Sequence, residues 1–171
     1  LADAAAHRGV QSVVIRAGEF IGGGVGNWFD NTIAAKIGSG SVTYPGRRDV
    51  AHAWAYLPDL ARVFERVAAQ RAVLPAFTRL HFPGYALTGE ALCLALERLA
   101  GRPLRRRSVP WPLLRALSLV VPILREICEI RYLWNVPHAL DGQALQAVIG
   151  ELTPTPLQDA LASALHELGA L

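Results

Sequence analysis

Strand-length apolar runs alternate with helix-length amphipathic ones along this chain, and that alternation limits its folds more than any single motif does. Residues 10–15 form a β-branched run of strand character. Residues 27–37 then place Phe29, Ile33 and Ile37 at helical spacing ahead of Gly38. Residues 42–44 read as a short strand broken at Pro45-Gly46, and residues 54–57 as a strand entering a helix at Pro58, with Asp59 as its N-cap. A strand over residues 80–82 ends at Pro83-Gly84. Thr88 next caps a helix whose Leu92, Ala95, Leu96 and Leu99 share one face, and Gly101 stops it. Residues 105–109 read as strand, residues 111–134 as apolar helix interrupted at Pro122, and the tail as two short helices around Gly150. Residues 1–7 read as the end of a helix closed by Gly9.

This pattern points to an α/β architecture with a mainly parallel sheet. Only two or three of the strands are convincing, so the rest of such a sheet is expected to lie outside this chain. The 171 residues contain no methionine and begin at Leu1, which agrees with reading the chain as a fragment or as one begun at an unusual start codon. With 52% hydrophobic and 18% charged residues, the chain has the material for a packed core and no disorder signature.

The formal charge is +3, and Lys36 is the only lysine. The densest basic run, Arg102, Arg105, Arg106 and Arg107, lacks the interleaved aromatic residues that stack on bases, so it reads as a strand edge or loop and not as a nucleic-acid site. Cys93 and Cys128 stand 35 residues apart without metal-ligand spacing, which favours free thiols over a disulfide or zinc site. Residues 109–134 invite a membrane reading, but Arg115, Arg125, Glu126, Glu129 and Arg131 interrupt them before the ~20 apolar residues of a span. A core helix pair or an oligomer face ranks first for this segment, and docking on a membrane surface or partner ranks last.

The stretch VVIRAGEFIGGGVG over residues 13–26 places a glycine-rich loop after a strand. A dinucleotide fingerprint fails in both registers: counted from Gly22 its third glycine falls on Asn27, and counted from Gly23 it falls on Phe29. No Gly-Lys-Ser or Gly-Lys-Thr is present, so a P-loop fails as well. The glycines instead read as room for a loop to close over substrate.

Taken in order, VVIRAGEFIG, a helix, WAYLPDLARVFERVA, LHFPG and a Thr-capped helix ending LAGRPL resemble the C-terminal part of the extended or atypical short-chain dehydrogenase/reductase family, the NAD(P)-dependent epimerase/dehydratase-like proteins. The resemblance implies a Rossmann-like domain over residues 1–84, with VVIRAG and LHFPG as late strands, and a smaller, mostly helical substrate-side region over residues 85–171. It also implies that Arg16, Ala17, Gly18, Glu19 and Phe20 meet the nicotinamide half of NAD or NADP, although Ala17 replaces the usual proline. Asn27, Trp28, Arg47, His52 and Trp54 are the candidate substrate-pocket residues. His52 occupies the position at which sugar-nucleotide epimerases of the family carry a phosphate-binding arginine, and Arg47 and Arg48 lie nearby as substitutes.

Family chemistry uses Tyr-x-x-x-Lys, in which the lysine lowers the tyrosine pKa for proton transfer. None of Tyr44, Tyr56, Tyr85 and Tyr132 has a lysine four residues on, so no catalytic residue and no metal ligand is assigned within the chain. His52 near Asp49 is the one histidine–acid pair, read as an exposed loop pair. The expectation is the C-terminal portion of a cytoplasmic NAD(P)-dependent oxidoreductase or epimerase/dehydratase-like enzyme. It would act on a small molecule, with no nucleic-acid partner or membrane span and with homo-oligomerisation left open. The alternative is a non-catalytic dinucleotide-binding regulatory module of the same fold. Expressed alone, the chain is expected to expose the sheet edge at Val13 to Ile15 and to aggregate.

Overall fold

The computed structural model describes residues 9–24 and 26–170; the helix end expected over residues 1–7 lies outside them. It is an α/β chain with more strand than its sequence advertises. The strands are β1 (Ser12–Arg16), β2 (Glu19–Ile21), β3 (Ser41–Tyr44), β4 (Ala51–Tyr56), β5 (Phe77–His81), β6 (Tyr85–Thr88) and β7 (Arg105–Ser108). Among the described residues they form three small ladders: β1 with β5, β2–β4–β6, and β3 with β7. Every pairing is parallel except β4 with β6.

Two strands were not anticipated. Glu19–Ile21 and Tyr85–Thr88 are only three and four residues long, and each exists by pairing with β4. β4 itself begins at Ala51, three residues earlier than expected, and nearly all of it is buried. The helix expected over residues 27–37 is instead a π-helical turn, Phe29–Ile33, which turns Phe29, Asp30 and Ile33 inward. Asn27 holds its start: its Oδ1 accepts from the Asp30 amide at 2.9 Å, and its Nδ2 donates to Asp30 Oδ2 at 2.7 Å.

The helices are α1 (Leu57–Ala69), α2 (Gly89–Ala100), α3 (Trp111–Leu117), α4 (Pro122–Glu129), α5 (Gln143–Ile149) and α6 (Leu157–Glu167), with a 3-10 segment at Ile130–Asn135. α2 has the expected ends: the Thr88 hydroxyl accepts from the Ala91 amide at 3.1 Å, and Gly101 closes it in the left-handed region at φ 62°. α1 corrects its N-cap. Tyr56 is the capping residue, and Asp59 lies inside the first turn. There the buried Asp59 carboxylate accepts from the Thr155 amide at 2.8 Å, from the Thr155 hydroxyl at 2.7 Å and from Arg62 at 2.6 Å, so it ties the helix to the distant C-terminal segment.

Two cores result. The larger packs the β2–β4 strands and the π-helical turn against α2 and α6, through Ile21, Phe29, Trp54, Leu92, Leu96, Leu161 and Leu165. In the smaller, the i, i+3, i+7 stripe Leu60, Val63 and Val67 of α1 meets Leu80, Phe82 and Leu145. Both draw side chains from either side of residue 84.

Candidate functional site

A cleft of about 790 Å³ opens between the π-helical turn, the β3–β7 ladder and the α3–α4 pair. The turn that buries Phe29 and Ile33 necessarily directs Asn31 and Thr32 outward, and Lys36 follows on the same side. On the ladder, Thr43 and Arg107 stand opposite each other in register and both line the cleft, while the flanking Val42 and Tyr44 are buried. Facing this polar floor is an apolar wall of Trp28, Val109, Pro110, Leu114, Leu124 and Ile127. Lys36 and Arg107 also line an adjoining hollow of about 330 Å³ with Ser39, Ser41 and Arg105, so one end of the cleft is cationic and rich in hydroxyls.

The arginine run divides by strand alternation. Arg105 and Arg107 line the hollow that adjoins the cleft, whereas Arg106 points back onto α2 and pairs with Glu90 and Glu97. Arg102 donates to the Ile37 and Gly38 carbonyls at 3.1 and 2.7 Å, closing the segment that carries Lys36.

Trp28 is the hub of the apolar end. It lies 6.3 Å from Trp111 and 5.4 Å, edge-on, from Trp134. Trp111 is pinned by its indole N–H donating to the Pro45 carbonyl at 2.6 Å. Behind Trp134 is a dry polar pair: the Tyr44 hydroxyl and His52 Nδ1 share a hydrogen bond of 2.8 Å, His52 is fully buried, and its Nε2 has no partner. Burial, with the charge of His138 adding to it, lowers the His52 pKa to about 4, so the ring is neutral at neutral pH. Burial likewise raises the Tyr44 pKa, the opposite of what a proton-shuttling tyrosine needs.

The substrate-pocket residues inferred from sequence therefore separate. Asn27 and Trp28 line an arm of the cleft. Trp54 and His52 are core, and Arg47 is exposed against Asp49. The exposed Asp49–His52 pair is corrected: His52 partners Tyr44 and lies inside the protein. The cleft residues that sequence reading passed over are Lys36, Thr43, Arg105 and Arg107; the lone lysine and the alternation along β7 were the available signals.

The segment from Arg16 to Phe20 is a junction between ladders. Arg16 ends β1 beside His81 at the end of β5, and its carbonyl accepts from the Phe82 amide at 2.8 Å. Gly18 crosses to β2 so close to β4 that a Cβ would sit 2.1 Å from the Ala53 carbonyl oxygen, so close packing requires the glycine there. Burial raises the pKa of Glu19, and the charge of His138 opposes that. The glycine run that follows is anchored: Gly22, Gly23 and Gly24 all have positive φ, and the Gly23 amide donates to Glu167 on α6 at 3.1 Å.

No protein-family model and no curated protein matches the chain. Solved structures do. RMD from Pseudomonas aeruginosa complexed with NADPH superposes with a TM-score of 0.70 at 13% identity, over 99% of this chain and 52% of that one. The dTDP-glucose 4,6-dehydratase from Streptomyces venezuelae with NAD and TYD bound gives 0.68 at 15% identity, over 97% and 46%. UDP-glucose 4-epimerase from Bifidobacterium longum in complex with NAD+ and UDP gives 0.65 at 16% identity, over 96% and 50%. The chain has an epimerase/dehydratase-type, Rossmann-like fold. It spans about half the length of these neighbours. Within the epimerase/dehydratase-type fold, β1 and β5 are adjacent parallel strands. No helix among the described residues is long and apolar enough to cross a membrane.

Proposed function

We propose that this chain forms the substrate-side part of an NAD(P)-dependent epimerase, dehydratase or oxidoreductase whose pyrophosphate fingerprint and Tyr-Lys dyad lie outside these 171 residues. The observation that carries the reading is the cleft: an apolar, tryptophan-bearing wall faces a floor that ends in Lys36, Arg105 and Arg107. Such a site suits a small substrate with a flat or apolar portion and an anionic portion, of which a nucleoside diphosphate sugar is one class.

The junction from Arg16 to Phe20 fits the nicotinamide half of the cofactor. It lies at the carboxyl ends of two adjacent parallel strands, where α/β folds bind ligands, and the buried Nε2 of neighbouring His81 lacks a partner. Arg16 and the Ala17–Gly18 backbone would hold the group. When bound, the nicotinamide supplies hydride transfer. The chain's own part is to seat the substrate: Lys36 and Arg107 hold the anion, and Trp28 packs the remainder and excludes water.

The test is calorimetric titration of the full-length protein with NAD+, NADPH, UDP and dTDP. Lys36→Ala and Arg107→Ala are each expected to weaken nucleoside diphosphate binding about tenfold while leaving dinucleotide binding unchanged. Equal affinity in native and variant proteins would remove the cleft from the reading. A second reading, a dinucleotide-binding regulatory module, draws on Tyr44, whose pKa burial raises, the opposite of what a proton-shuttling tyrosine needs; dinucleotide binding without any change in nicotinamide absorbance on adding substrate would favour it.

A further inference from the structure

The segment from Trp111 to Trp134 leaves the body of the protein and returns to it. Its two ends are buried tryptophans that both pack on Trp28, and no residue in α3 after Trp111, in α4, or in the 3-10 segment before Trp134 is buried. One side of this helical hairpin, at Leu114, Leu124 and Ile127, walls the cleft. At the apex, Leu119 is 83% exposed, Val120 77% and Ile123 63%, with Leu113, Leu117 and Val121 exposed beside them.

A water-facing turn ordinarily uses Gly, Asn, Asp or Ser, whereas this one reads Leu119-Val120-Val121-Pro122. It is also a formed turn: the Val120 and Val121 amides donate to the Leu117 carbonyl at 3.1 and 3.0 Å, and the Leu124 amide donates to Val121 at 3.1 Å. Ordered, contiguous exposed aliphatic side chains mark an interaction surface.

We propose that this apex inserts into the interface of a bilayer containing anionic lipid. Leu119, Val120 and Val121 are consecutive and all exposed, so the apolar surface wraps around the tip of the turn. A bilayer surrounds such a tip. The charges agree: exposed Arg115 stands four residues before Leu119 and exposed Arg125 two residues after Ile123, where they meet headgroups, and the exposed acids Glu126 and Glu129 lie beyond Arg125. The insertion is peripheral, since neither helix has the length of a span.

Sedimentation of the full-length protein with vesicles tests this, using phosphatidylcholine alone and phosphatidylcholine with phosphatidylglycerol, at low and high salt. The native protein is expected to pellet with the anionic vesicles. The double variant Leu119→Asp, Val120→Asp should lower partitioning about tenfold or more with an unchanged thermal melt, because the replaced side chains are solvent-exposed. A second variant, Arg115→Glu with Arg125→Glu, should lose only the salt-sensitive part. Native protein that stays in the supernatant with both vesicles, or equal pelleting of native and aspartate variants, would overturn the proposal. So would a soluble homodimer dissolved by the same aspartates without any vesicle binding, which would assign the apex to a second copy of the chain.

Discussion

Thr43 and Tyr44 are neighbours on one short strand, yet they serve opposite environments. Thr43 opens onto a solvated cleft with Lys36, Arg105 and Arg107 at one end, where charges keep their water until a ligand arrives. Tyr44 is turned into a dry interior, bonded to a neutral histidine whose second nitrogen finds no partner. Polar groups on the cleft side are available for binding; those on the core side are committed to the fold. The buried Asp59, which gathers Thr155 and Arg62, belongs with the second group.

The contrast can be broken by substitution. Asp59→Ala removes the buried acceptor of two Thr155 bonds and the partner of the half-exposed Arg62, and should cost about 2 kcal/mol, read as a fall in denaturation midpoint. A loss below about 1 kcal/mol would place Asp59 with the cleft residues instead.

His52 should show the next largest effect, as a pH dependence. Its folded pKa, about 4, lies below the ordinary value of 6.5, so above that value both states are neutral and stability is complete. As pH falls through the window, the unfolded chain takes up a proton that the folded one refuses, and stability declines by up to about 1.4 kcal/mol per pH unit. Asp30, raised to about 6 by burial, works the other way over the lower part of the window, because its folded carboxyl binds a proton more readily. Comparing thermal melts of native protein and His52→Asn from about pH 7 to about pH 5 cancels the Asp30 contribution. The native slope should be steeper, and identical slopes would mean that the ring is hydrated and not buried.

The smallest expected effect is on the stability of cleft variants. Arg105→Ala and Arg107→Ala should shift stability by no more than about 0.5 kcal/mol, measured by chemical denaturation, since both side chains point into open space. A larger loss would show that the β3–β7 ladder depends on them.

Much of the chain was legible because its signals are local. Thr88 and Gly101 bracket α2 through hydrogen bonds and dihedral preferences spanning a few residues. The β-branched runs in β1 and the aromatic run in β4 need no distant partner to favour extended backbone. Glu19–Ile21 and Tyr85–Thr88 were illegible as strands for the converse reason: three or four residues carry too little pattern, and both become strands by bonding to β4. Asp59 looked like a cap because helix starts favour aspartate, but Thr155, 96 positions away, claims its carboxylate.

The cleft divides the same way. Trp28 and Asn27 could be singled out beside a glycine loop, whereas the pairing of Lys36 with Arg107 depends on β3 and β7 meeting across some sixty residues of intervening chain. By itself, then, the sequence determined the α/β class, the order of the principal helices with both ends of α2, and the absence of a Tyr-x-x-x-Lys dyad, all of which rest on short-range propensity and spacing. Only the tertiary structure decided that His52 is sealed away from solvent, that alternate arginines of one strand face opposite environments, and that Trp28 joins both ends of an apolar hairpin. Those outcomes depend on burial and on contacts between distant segments, which no local run of residues encodes.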